Sequence, residues 1–186
     1  QVASTSNALN LTLNSDFDAS GAGAILMNLN SAVRANGGDI VLGGGADPIL
    51  SAALGNGTLT SGVRLVGAML DAGGGDIFVR GSGLDSGNPS RHGVSIETSG
   101  VVPSVVQTSG TGRIEIVGRG GGNGGAGTTS GSHGVQISGA NSRVTSAAGA
   151  ISIQGTGGGI TTGNNSGNHG VLINSNDARV ESASGD

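Results

Sequence analysis

Apolar residues recur along this chain in short alternating triplets rather than in helical stripes. Ile40, Ile77, Ile114 and Ile151 stand 37 residues apart, and each opens an apolar, variable, apolar triplet: Ile40/Leu42, Ile77/Val79, Ile114/Ile116 and Ile151/Ile153. Period-two alternation is the mark of a strand with one buried face. A second series opens on Gly: Gly62-Val63-Arg64-Leu65, Gly93-Val94-Ser95-Ile96, Gly134-Val135-Gln136-Ile137 and Gly170-Val171-Leu172-Ile173, with a weaker first copy at Gly23-Ala24-Ile25-Leu26. Another apolar residue follows at Val33, Leu70, Val144 and Val180, usually with Ala, Ser or Thr two positions later, while the third copy offers either Val105 or Val106. No helical period competes over a long window, and each Gly would cost a helix about 1 kcal/mol relative to Ala. Helices are excluded as the main element.

The 37-residue unit reads as two related halves, because Val135, Ile137, Gly139, Val144 and Ser146 have the same offsets as Ile151, Ile153, Gly155, Ile160 and Thr162. Strand starts at Ala24, Ile40, Val63, Ile77, Val94, Ile114, Val135, Ile151 and Val171 are about 18 residues apart on average. The surplus in long intervals falls in Gly, Asn, Ser and Pro-rich text, Gly43 to Ser61 and Gly118 to Ser132, which reads as protruding loops. Short strands at a fixed period predict a solenoid. The fold class expected is all-β: a parallel β-helix with coils of about 18 residues paired into the 37-residue repeat. The repeats run approximately over 24–62, 63–93, 94–134, 135–170 and a truncated 171–186, in one elongated segment of a longer repetitive protein. At a strand spacing of about 4.8 Å, nine or ten rungs would make a rod roughly 45 Å long, and a coil of 37 residues instead would halve it. The alternation points Val41, Phe78, Glu115 and Ser152, and Arg64, Ser95, Gln136 and Leu172, outward.

Composition agrees with columns of aliphatic side chains. The chain has 186 residues, 40 of them Gly, and its only aromatic residues are two Phe, too few large side chains for a sandwich core. Ile, Leu, Val and Phe together number 43, about 23% of the chain, above the roughly 20% below which disorder is the default. A net charge of −4, with eight Arg and no Lys, leaves no basic face for nucleic acid. No apolar run approaches the 18 or so residues of a membrane helix, so no membrane insertion is expected. The absence of Cys excludes disulfides, thiolate catalysis and Cys-based zinc sites.

The stretch Leu11-Thr12-Leu13-Asn14-Ser15-Asp16, then Ser20-Gly21-Ala22-Gly23-Ala24, then Asn36-Gly37-Gly38-Asp39-Ile40-Val41-Leu42-Gly43-Gly44-Gly45 and the Gly-Val-x-Ile repeats resemble the passenger repeats of filamentous-haemagglutinin-like exoproteins, particularly the cyanobacterial type. The resemblance covers nearly the whole chain. It implies a right-handed parallel β-helix exported by bacterial two-partner secretion, extracellular or at the cell surface, acting in adhesion, aggregation or matrix formation. It supplies no catalytic residue. Family members often carry Asn before Gly-Val, where this chain has His92, His133 and His169.

Those three His are the most suggestive chemical feature, since imidazoles on one corner bind transition metals or act as a pH-sensitive column. With two rungs per repeat they would lie about 10 Å apart, too far to share an ion at ~2 Å metal–nitrogen bonds, and they read as turn residues. Asp39, Asp76, Asp71, Glu97, Glu115 and Glu181 are scattered over different repeat positions, whereas glycoside cleavage needs acids converging on one groove. Asp16 and Asp18 form a two-acid turn rather than a calcium site. The run Gly118 to Gly125 lacks the following helix of a phosphate cradle. Arg143 and Arg179 precede Val at equivalent sites as a solvated column. No catalytic, cofactor-binding or metal residue is assigned. The expected function is a non-enzymatic adhesin shaft or spacer. The expected partners are neighbouring repeats, identical chains stacking end to end, and cell-surface glycans or matrix. The alternatives are a fibre or sheath subunit and a polysaccharide-binding or polysaccharide-cleaving β-helix.

Overall fold

The computed structural model describes residues 1–86, 89–122, 127–159 and 163–184, with the backbone alone at 127–129 and 163–165. Each alternating segment becomes a strand, and among the described residues no helix forms. The strands build three parallel sheets. The first is β1 (Val2–Ala3), β4 (Ala32–Arg34), β8 (Met69–Asp71), β11 (Val105–Thr108), β15 (Arg143–Ser146) and β19 (Arg179–Ser182). The second is β2 (Leu11–Ser15), β5 (Ile40–Gly44), β9 (Ile77–Ser82), β12 (Ile114–Arg119) and β16 (Ile151–Thr156), with β6 (Ala53–Leu54) beside the end of β9. The third is β3 (Ile25–Met27), β7 (Val63–Val66), β10 (Val94–Glu97), β14 (Val135–Ser138) and β18 (Val171–Asn174). A fourth pair, β13 (Gly127–Ser130) with β17 (Gly163–Ser166), stacks two of the Gly-rich loops on each other.

Every turn of the chain visits the first, second and third sheets in that order before returning one level up, which makes a parallel β-solenoid. The level is one whole repeat. Ile40 pairs with Ile77, Ile77 with Ile114, and Ile114 with Ile151, so one coil takes 37 residues. This corrects the expectation of 18-residue coils: the two halves of the repeat lie on different sheets and never stack on each other. Five strands in the second sheet span about 20 Å at ~4.8 Å per step, about half the rod length expected. The first copy also shifts by one residue, since Ile25, and not Ala24, pairs with Val63. Ile160 and Thr162, invoked for the half-repeat, lie outside the described residues.

Inward side chains form the predicted columns, with Ile40, Ile77 and Ile114 on one face, Val63, Val94 and Val135 on the next, and Leu70, Val106 and Val144 on the third, all inaccessible to solvent. Val106, not Val105, is the inward residue of the third copy. Each such side chain contributes roughly 1.5–3 kcal/mol by leaving water, which replaces the aromatic payload of a conventional core. Several outward residues are covered after all. Phe78 is 5% exposed beneath the guanidinium of Arg113, which lies 4.8 Å from its ring centre. The loop over 45–52 bends back over the same sheet, where Arg80 Nε donates to the Ile49 carbonyl at 2.7 Å. Ser95 is fully buried.

Glycine does its work where the second sheet hands over to the third. The chain leaves β9, β12 and β16 and returns to β10, β14 and β18 along nearly touching backbones. A Cβ on Gly81, Gly118 or Gly155 would stand 2.1, 2.0 or 1.9 Å from the carbonyl oxygen of Gly93, Gly134 or Gly170. Only a residue without a side chain fits. This close approach carries each His-Gly-Val segment into its place.

Candidate functional site

The in-register pairs Val94–Val135 and Val135–Val171 bring the preceding His residues over one another. His92 and His133 stack with ring centres 5.1 Å apart and planes 9° apart, and His133 and His169 at 5.2 Å and 23°. The expected separation of about 10 Å is thereby corrected, for the same reason as the coil length: His residues of successive repeats lie one level apart, not two. The backbone N–H of His133 donates to Nδ1 of His92 at 3.3 Å, and that of His169 to Nδ1 of His133 at 3.2 Å. An Nδ1 that accepts a hydrogen bond carries no proton, so the network assigns His92 and His133 as neutral rings with hydrogen on Nε2.

The surroundings hold them neutral. Burial, followed by the neighbouring His133, pushes His92 down to about 4, and burial followed by His169 lowers His133. At the lower end of the ladder a cleft of about 310 Å³ opens, lined by Thr58, Thr60, Ser61, Ser90, His92, Arg64 and Glu97, among others. Arg64 grips Glu97 with two hydrogen bonds, Nη2 to Oε2 at 2.9 Å and Nε to Oε1 at 3.3 Å, while the Ser95 hydroxyl donates to Oε1. Burial alone would raise the Glu97 carboxyl, but the bonds from Arg64 and Ser95 outweigh it and hold the group below its ordinary value. Glu97 in turn raises Arg64.

Chemically the ladder is a clamp between coils. Near-parallel rings 5 Å apart cannot both direct a nitrogen to one ion at ~2 Å, and two of the three Nδ1 atoms are already in use. Among the described residues no group of three or more His, Asp or Glu is placed to hold a metal. Glu97 is a lone carboxylate with both oxygens engaged.

The other candidates are dispersed into structural roles. Asp39 and Asp76 stack, the Asp39 carboxylate accepting the Asp76 N–H at 2.8 Å and the Asp76 carboxylate the Arg113 N–H at 2.9 Å. Arg80 pairs with Glu115 at 2.6 Å and Arg113 with Asp76 at 3.1 Å. Asp71 accepts from Gln107, and Glu181 pairs with Arg179. The Asp16 carboxylate accepts the Gly21 N–H and that of Asp18 the Ser20 N–H, closing a turn. Gly118, Gly120 and Gly121 press against other backbone, and residues 123–126 lie outside the described residues.

Sequence reasoning missed the cluster of Arg64, Ser95 and Glu97. Its signal was present, because Arg64 and Ser95 are in-register outward neighbours and Glu97 lies two positions on, but it is legible only with the correct coil length. Arg91 was also missed. It is 3% exposed, its Nε and Nη1 have no hydrogen-bond partner among the described residues, and burial lowers it.

No family model, curated protein or solved structure matches this chain. Among the described residues no helix is long and apolar enough to cross a membrane.

Proposed function

We propose that this chain is a structural, non-catalytic β-solenoid segment serving outside the cell as a rigid shaft or spacer of adhesin type. One observation carries the reading: polar as well as apolar side chains are committed to contacts between successive coils. Arg64–Glu97, Arg80–Glu115, Arg113–Asp76 and Arg119–Asp85 each join one coil to the next, and the His ladder joins three. Such a molecule resists bending. Small-angle scattering is expected to give a stiff particle. Incubation with polysaccharides is expected to release no reducing ends, and catalytic release would overturn the reading.

A further inference from the structure

The corner between the third and first sheets is uneven from coil to coil. Four residues (28–31) link β3 to β4, two (67–68) link β7 to β8, seven (98–104) link β10 to β11 and four (139–142) link β14 to β15. The shortest corner thus has a longer one on either side, and the longest folds on itself through mutual backbone bonds of Ser99 and Val102 at 2.9 and 3.0 Å. A recess of about 360 Å³ lies there beside the outer face of the first sheet, walled by Val102 and Pro103 and floored by Ala32, Met69 and Val105. It crosses β4, β8, β11 and β15, each of which has a paired strand on both sides, so it belongs to the body of the solenoid.

Charge at this recess is of one sign. Arg34 and Arg143 both line it, and among the described residues no Asp or Glu does. Of the eight Arg, five are held in ion pairs; Arg34, Arg91 and Arg143 are in none among the described residues, and two of those three stand here. Arg34 rests its Nη1 on Met69 Sδ at 2.9 Å, while Asp71, its in-register neighbour, is taken by the Gly73 N–H and by Gln107. Three steps of the ladder, Ala32–Met69, Met69–Val105 and Val105–Arg143, separate the two ends by about 14 Å at ~4.8 Å per step.

We propose that this recess binds a free straight-chain aliphatic diacid, its chain lying along the solenoid axis against Met69 and Val105 and its carboxylates meeting Arg34 and Arg143. An extended peptide suits the place poorly. The main-chain groups of the floor are already spent on the ladder, so the peptide's own amides would lose water without gaining a partner. A helix bonds its amides internally but is about 10 Å wide. The recess, with 360 Å³ spread over its length, is a channel only about 5 Å across. A hydrocarbon chain is slender, has no amide to satisfy and gains by leaving water against Met69 and Val105. Carboxylates reaching Arg34 and Arg143 gain charge-assisted hydrogen bonds, and no existing ion pair has to break for them.

The chain has two Met, which serve as reporter and control: Met69 lines the recess, while Met27 is buried in the core. In nuclear magnetic resonance spectra of the full chain with isotope-labelled methionine methyls, decanedioate is expected to shift the Met69 signal to saturation and leave Met27 in place. Succinate has both charges without the chain, and decanediol the chain without the charges. Each is expected to bind at least about tenfold more weakly than decanedioate. Arg34→Gln and Arg143→Gln should each weaken decanedioate at least about threefold, whereas Arg119→Gln, which removes a charge from the second sheet, should leave it unchanged. A Met69 signal that decanedioate does not move overturns the proposal. Equally tight binding of succinate or decanediol, or undiminished binding of decanedioate by the variant carrying both Arg34→Gln and Arg143→Gln, overturns it as well.

Discussion

The backbone N–H of His133 donates to Nδ1 of His92 at 3.3 Å while the two rings stack 5.1 Å apart. A proton added to His92 would land on the nitrogen that accepts this bond and would place a cation against its buried neighbour. The ladder therefore holds its coils together only while it is uncharged.

Acid is expected to loosen the solenoid. His92 is depressed from about 6.5 to about 4, so above pH 6.5 it is neutral in both the folded and unfolded chain and its contribution is complete. As pH falls from 6.5 towards 4 the unfolded chain takes up the proton first, and stability is lost, by up to about 3 kcal/mol for this group. His133 acts in the same direction. Glu97, Arg64 and His133 are the charged or titratable groups acting on His92, and Glu97, itself lowered, adds a loss only at more acid pH. Urea denaturation at pH 7.5 and 4.5 checks this: the midpoint should drop, and much of the drop between pH 6.5 and 5 should vanish in His92→Gln. An equal or higher midpoint at pH 4.5 contradicts it.

Position along one column should set the cost of a deletion. Ile137 and Ile173 are in-register neighbours, one inaccessible and the other half in water. Ile137→Ala is expected to cost about 2–5 kcal/mol and Ile173→Ala under about 1.5. Equal losses in thermal melts would show that the column is not continuous.

Glycine substitutions should split in the same way. A Cβ on Gly118 meets backbone at 2.0 Å, whereas one on Gly57 meets nothing within 4 Å. Gly118→Ala is expected to cost at least about 3 kcal/mol through forced separation of the two chain runs. Gly57→Ala is expected to be neutral or stabilising by up to about 1 kcal/mol. Calorimetry that finds Gly118→Ala as stable as the parent would refute the close approach.

Much of this fold was legible in the alternation of Ile40, Ile77, Ile114 and Ile151, because side-chain direction in a strand depends only on neighbours in sequence. The pairing partner was not. Ile151-Ser152-Ile153 and Val135-Gln136-Ile137 look alike because both point inward, but they do so from different sheets, and no local signal says whether a strand stacks on the next strand or on the one after two corners. That single ambiguity doubled the expected rod length and the expected His spacing. Residue 25 in place of 24, and the choice of Val106 over Val105, are register details of the same kind. The burial of Phe78 and Ser95 escaped for another reason, since it depends on Arg113, Arg64 and Glu97 reaching across from neighbouring coils and segments.

The coil length can be measured directly. Thr12 and Ser152 both face outward on the second sheet, four levels apart through Val41, Phe78 and Glu115. Spin labels on Thr12→Cys and Ser152→Cys are predicted to show, by pulsed electron–electron resonance, a backbone separation of about 19 Å. A separation near 40 Å would mean two levels per repeat and would contradict the 37-residue coil on which the His ladder and the glycine contact both depend.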